Sequence, residues 1–212
     1  MRRDKNEGLN AEPHRAHPWH GVGPGPGLPA VVTAYIELVP TDTVKYEVDK
    51  VSGILRMDRP QQYSNVCPSL YGFIPRTLCA ERVASLCRER TGRSNLIGDG
   101  DPLDICVLTE KTVAHGDILV PAIPIGGLRM IDAEEADDKI LAVLQGDAAF
   151  GALTDVSQVP PALVTRLEHY FLTYKMSPDR ADRVVEITES YGREEAHEVI
   201  RRSREDYGAR FS

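Results

Sequence analysis

The sequence predicts an α+β, mainly β fold, a closed antiparallel barrel with helices flanking it at the C-terminal end. Short apolar runs, several of them alternating with polar residues, follow one another from Val31 to Leu144 with Gly, Pro and Asp turns between them. From Pro160 onward the apolar spacing changes to 3.6 residues. The Gly98–Asp104 turn, reading Gly-Asp-Gly-Asp-Pro-Leu-Asp, runs straight into the continuous apolar stretch Ile105–Leu108, the pattern of a buried strand.

With 212 residues, one domain is expected rather than two. The organisation predicted is a flexible tail over residues 1–30 and a single domain over residues 31–212. The polar, weakly patterned residues 79–97 are expected to form a surface insertion. Composition is that of a globular protein, with 42% hydrophobic and 27% charged residues. Against 32 acidic residues stand 25 basic ones, a net charge of -7. That balance argues against a general nucleic-acid or anionic-membrane binder, whose affinity comes from a basic face. The N-terminus shows no signal-peptide core and no run reaches the length of a membrane span, which predicts the cytoplasm. Cys67, Cys79, Cys87 and Cys106 form no CxxC pair and are expected to be free thiols, although a Cys79–Cys87 disulfide stays compatible with the sequence.

Taken in order, the Gly/Pro-rich tail carries His17-Pro18-Trp19-His20. Two histidines supply only half of a usual transition-metal set, so Trp19 is expected to anchor the tail to the body. Val32, Ala34, Ile36 and Leu38 alternate with Thr33, Tyr35 and Glu37, a strand with Glu37 opposite the apolar face. Lys45, Glu47 and Asp49 alternate against Tyr46 and Val48; a turn at Ser52-Gly53 and a return strand over 54–58 complete a hairpin. Taken alone, Lys45, Glu47 and Arg59 fit the polar face of a half-buried sheet better than a catalytic role. Tyr71 to Pro75 is an aromatic strand entry. Residues 118–125 and 128–131 read as two strands separated by Gly126 and Gly127, and residues 140–144 as another. Leu163, Val164, Leu167, Tyr170, Phe171 and Tyr174 mark a helix begun by Pro160-Pro161, with Tyr170 expected in the core. Val184, Val185 and Ile187 suggest a last strand, and residues 194–207 a last helix.

The acidic turn is where the chemistry concentrates. Asp99, Asp101 and Asp104 crowd three carboxylates into a tight turn, and their repulsion calls for a cation or shared protons. With no His or Cys beside them, the fitting partner is a hard divalent ion, Mg2+ above all. A second acidic group, Asp132, Glu134, Glu135, Asp137 and Asp138, precedes another strand, and a centre of two or more metal ions needs both.

Together, Tyr35-Ile-Glu37, Lys45-Tyr-Glu47, Asp49-Lys50, Asp58-Arg59, Tyr71-Gly-Phe-Ile-Pro75, the Asp99–Asp104 turn, Asp132 to Lys139 and Tyr174-Lys175 resemble the soluble family I inorganic pyrophosphatases. The resemblance covers most of residues 35–175. Its N-terminal motif and its insertion are similar to those of the eukaryotic and chlamydial-type members. It implies a five-stranded OB-like barrel that hydrolyses pyrophosphate with Mg2+, in a homo-oligomer, dimer or hexamer. By position it implies Asp99, Asp104 and Asp132 as tight metal ligands, with Asp104 shared by two ions. Glu37, Glu47, Asp58 and Asp137 would be outer ligands, and Asp101 the acceptor of the water's proton. Lys45, Arg59, Lys139, Tyr174 and Lys175 would hold phosphate oxygens, with Tyr71 on the nucleophile side. Two positions depart from the family pattern: Cys67 stands where many members have tyrosine, and Leu70 where an asparagine is expected. The competing readings are an OB-like module binding single-stranded nucleic acid and a pyrophosphate-binding protein without catalysis.

Overall fold

A computed structural model of the chain describes residues 15–176 and 185–211. Its elements in order are strands β1 (Val32–Leu38), β2 (Val44–Val48), β3 (Leu55–Pro60) and β4 (Leu70–Phe73), helix α1 (Glu81–Thr91), and strands β5 (Ile97–Gly98), β6 (Asp104–Leu108), β7 (Ile118–Asp132), β8 (Glu135–Ala136) and β9 (Lys139–Leu144). Helix α2 (Pro161–Thr173), strand β10 (Val185–Gly192) and helix α3 (Arg193–Phe211) complete it. Within the expected last strand, Val184 lies outside the described residues.

Five strands close a ring in the order β1, β4, β6, β9, β7, with β7 returning to β1. Four of its seams are antiparallel and one, β6 with β9, is parallel. The parallel seam arises because β7 lies between the two partners in sequence and runs back against them. Alternate β6 residues supply two different cores. Ile105 and Val107 face a cluster with Val83, Leu86, Val199 and Ile200 of the helices α1 and α3. Cys106 and Leu108 face Met130, Leu141, Leu167 and Phe171 on the side of α2. A strand buried on both faces needs an unbroken apolar run, which is what the sequence supplies here.

Three expectations change. Residues 118–132 form one strand, not two, because Gly126 and Gly127 bend β7 at a register shift and do not end it. At those positions a Cβ would lie 2.5 Å from the Tyr191 carbonyl oxygen and 2.4 Å from the Tyr191 ring, so the glycines let β10 pack over the bend. The stretch 79–97 is largely helical: α1 buries Val83, Ala84, Leu86 and Cys87, and the charges around them had masked that stripe. Its N-terminus is capped from outside, Asp206 of α3 accepting from the backbone N–H groups of Arg82 (3.0 Å) and Val83 (3.2 Å). From residue 15, the stretch read as a flexible tail lies on the body, anchored as expected by Trp19, which is buried with its indole N–H donating to the Thr77 carbonyl at 2.8 Å. All four cysteines are free and buried, so Cys79 and Cys87 are not joined. Among the described residues no helix is long and apolar enough to cross a membrane.

Candidate active site

The acidic turn is held in place through its backbone. Gly100 takes φ +76° where a side chain would be strained. Its N–H reaches the Cys79 carbonyl at 2.9 Å, and the Cys79 N–H returns to the Asp101 carbonyl at 2.8 Å. Ile74 N–H donates to the Leu103 carbonyl at 2.9 Å, and Asp99 Oδ1 accepts from Asp101 N–H at 2.9 Å. Asp104 opens β6 directly beside Lys139, which opens β9, because the parallel seam pairs these two positions. Asp132 ends β7, and the Asp137 N–H is fixed to the Met130 carbonyl at 3.0 Å.

The β2–β3 hairpin forms a sheet of its own beside the ring. Its ladder pairs Lys45 with Arg59 and Tyr46 with Met57, which leaves Asp58 as the extra residue of a bulge. A bulge re-aims neighbouring side chains, and Asp58 and Arg59 both reach one cavity as a result. The far wall comes from α2: Tyr174 closes the helix, with Lys175 directly after it.

These elements enclose a cavity of about 260 Å3. Every residue that the resemblance gave a metal, proton or phosphate role lines it: Asp99, Asp101, Asp104, Asp132 and Asp137; Glu37, Glu47 and Asp58; Lys45, Arg59, Lys139 and Lys175; Tyr71 and Tyr174, whereas Glu134 and Asp138 of the second acidic group do not. Three further groups line it: Lys50 and Glu135, which had been given no role of their own, and Tyr170, which is buried in the core as expected. Lys50 pairs with Asp101, Glu135 belongs to the second acidic cluster, and Tyr170 accepts a hydrogen bond from Gln61 Nε2 at 3.1 Å. Tyr170 precedes Tyr174 by one helical turn and shares its face, a spacing that places its ring on the same wall.

Each cation is engaged with carboxylates. Lys139 pairs with Asp104 and Asp137, Lys175 with Asp132, and Lys45 with Asp58 at 3.4 Å and Glu47 at 3.7 Å. Tyr71 donates its hydroxyl to Asp104 Oδ2 at 2.5 Å. Arg59 stands 5.5 Å over the Tyr174 ring. Burial pushes Glu37 up to about 8, against the Val48 N–H that favours its charged form. Asp99 and Asp137 are likewise raised, chiefly by burial. Burial disfavours the charged Lys139, yet Asp104 and Asp137 outweigh it and hold the ammonium well above its ordinary range.

Among the described residues no three His, Cys, Asp or Glu side chains converge at metal-ligand separations. The carboxylates are turned toward lysines instead. The donor set nevertheless suits a hard divalent cation: among the described residues nine carboxylates line the cavity, no His or Cys does, and five cations oppose them.

Known proteins resemble the chain in sequence and in fold. The family described as inorganic pyrophosphatase matches residues 34–208. The inorganic pyrophosphatase of Chlamydia trachomatis is 48% identical over 196 residues, 91% of this chain and 94% of that protein. The soluble inorganic pyrophosphatase of Oryza sativa is 37% identical, over 92% of this chain and 80% of its own length. The crystal structure of inorganic pyrophosphatase from Thermus thermophilus superposes with a TM-score of 0.75 at 29% identity, covering 92% of this chain and 99% of that one.

Proposed function

The chain belongs to the inorganic pyrophosphatase family, and from this we propose that its acidic cavity hydrolyses pyrophosphate to two phosphates with divalent ions, Mg2+ foremost, held by its carboxylates. The observation that carries the reading is the convergence of the acidic turn, the second acidic cluster, the hairpin cations and the α2 terminus on one cavity. Among the described residues nine carboxyl groups line the cavity against five cations, an acidic excess that bound divalent ions would offset. When bound, such ions lower the pKa of water and neutralise phosphate oxygens.

Asp99, Asp104, Asp132 and Asp137 are the proposed ligands, with Glu37 and Glu47 behind them. Asp101 is the proposed acceptor of the proton from the attacking water. As the water oxygen bonds to one phosphorus, the bond from that phosphorus to the bridging oxygen breaks. The charge then builds on the departing phosphate. Lys45, Arg59, Lys139, Tyr174 and Lys175 are the proposed holders of phosphate oxygens, with the contacts of the buried Lys139 and Tyr174 the strongest. Tyr71 fixes the orientation of Asp104 through its hydroxyl. A polyanionic nucleic acid would meet net repulsion from the same lining, which disfavours the binding-module alternative.

Phosphate release from pyrophosphate, followed with Mg2+ and after chelation, tests the proposal; folded protein with no metal-dependent turnover ends it. A cytoplasmic homo-oligomer of a single-domain subunit goes with the same reading. Light scattering on the purified chain checks the assembly, and a monomeric mass would refute it.

A further inference from the structure

We propose that residues 15–21 form a strap that holds the acidic turn and the β2–β3 hairpin tip at a fixed separation across the cavity, with Trp19 as its positioning residue. The proposal rests on the pyrophosphate chemistry proposed for that cavity. The His17-Pro-Trp-His20 motif has no part in that chemistry, yet Trp19 lines the cavity.

On one side the strap grips the acidic turn. Trp19 Nε1–H donates to the Thr77 carbonyl at 2.8 Å, and the Trp19 carbonyl accepts from Arg76 N–H at 2.9 Å. Thr77 is fully buried, and its Oγ1 accepts the Leu103 N–H at 2.9 Å while donating to the Ile74 carbonyl at 2.6 Å. Leu103 sits between Asp101 and Asp104. A path of hydrogen bonds therefore runs from the indole to the residue that spaces two of the site's carboxylates.

On the other side it grips the hairpin. His17 Nδ1 accepts the backbone N–H groups of Trp19 (3.1 Å) and His20 (3.3 Å), so the ring proton must sit on Nε2, which donates to the Lys50 carbonyl at 3.2 Å. The same ring packs on Gly53, where a Cβ would come within 2.8 Å of it. Lys50 in turn pairs with Asp101. The strap is backed by α3, whose Tyr207 hydroxyl meets His20 Nδ1 at 2.7 Å and whose Phe211 ring stands edge-on to Trp19 at 5.6 Å. Both cavity walls thus meet at one short segment through directional bonds that apolar packing alone would not need.

The test uses the full chain, in which Trp19 is the single tryptophan. Trp19→Phe keeps an aromatic ring and removes the donor. The Mg2+ concentration for half-maximal activity is expected to rise about three- to tenfold, the scale of one lost hydrogen bond. KM for pyrophosphate at saturating Mg2+ should stay within about twofold, since the phosphate-holding cations are untouched. His17→Ala retains the fluorophore, and a fluorescence titration with Mg2+ should show half-saturation moved in the same direction. A Trp19→Phe protein that melts lower but keeps the native Mg2+ dependence would reduce the segment to packing and overturn the strap. So would an unchanged titration in His17→Ala. If the native chain releases no phosphate at any Mg2+ concentration, the pyrophosphate reading fails, while the fluorescence comparison still judges the strap.

Discussion

Replacing Lys139 with Met should destabilise the metal-free chain, and by an amount that depends on pH and on metal. Lys139 is 2% exposed, and its ammonium lies between Asp104 and Asp137, with the Phe171 ring 5.7 Å away. Methionine fills the aliphatic volume and leaves two carboxylates facing each other without their cation. Breaking a buried ion pair costs about 3–5 kcal/mol. The Asp104 and Asp137 side chains keep 22% and 13% exposure, which favours the lower end, about 3 kcal/mol. For a chain of this length that is a fall in Tm of roughly 6–12 °C at pH 8. Protonation is the cheapest escape for the stranded carboxylates, and burial already raises Asp137, so the deficit should shrink at pH 5.5. Added Mg2+ should restore more Tm to the variant than to the native chain, because a divalent ion supplies the missing counter-charge. Thermal melts by circular dichroism at the two pH values, with chelator and with Mg2+, read all three effects. A metal-free variant melting within 2 °C of the native chain at pH 8, or a deficit indifferent to pH, would refute the reasoning.

Tyr71→Phe removes the hydroxyl bonded to Asp104, and a hydrogen bond to a charged group contributes about 1.5–3 kcal/mol, so kcat/KM should fall roughly 10- to 100-fold in a phosphate-release assay and the Tm of the metal-free chain by roughly 3–12 °C. Glu37 holds its proton up to about 8 when folded but only to about 4.3 when unfolded, so the folded chain binds the extra proton between those values. Metal-free stability should therefore fall as pH rises through that window, at up to about 1.4 kcal/mol per unit from this group, and Glu37→Gln should flatten the slope in chelator-treated urea titrations. Asp206→Ala takes away the external cap of α1 at an expected 1–2 kcal/mol, roughly 2–8 °C in Tm, while kcat stays native.

The ring was legible because its strands carry period-2 alternation or short unbroken apolar runs, both local signals. The cavity lining was legible because the carboxylates and cations come in spaced groups at strand ends. What escaped depends on partners distant in sequence. The buried stripe of α1 is short and interleaved with Arg and Glu, and its cap lies more than a hundred residues downstream, so no local pattern announced it. Gly126-Gly127 read as a break because a sequence cannot say that Tyr191 will press on that backbone. Lys50 belonged to a recognised motif but acquires a partner, Asp101, only when the hairpin folds over the acidic turn. The fully buried Arg129, beside Asp138 and bonded to Glu195, lies in the stretch 128–131 that read simply as a strand.

The seam between β6 and β9 sets Asp104 and Lys139 abreast as ladder partners in a sheet that closes on itself. Sliding one strand by a single step would turn its alternate side chains inside out, and closure would force its neighbours to follow. Distances at the heart of the cavity are thereby quantised: they can be retuned by exchanging one side chain for another, or by reshaping the loops and hairpin hung around the rim, but not by small shifts of the frame itself.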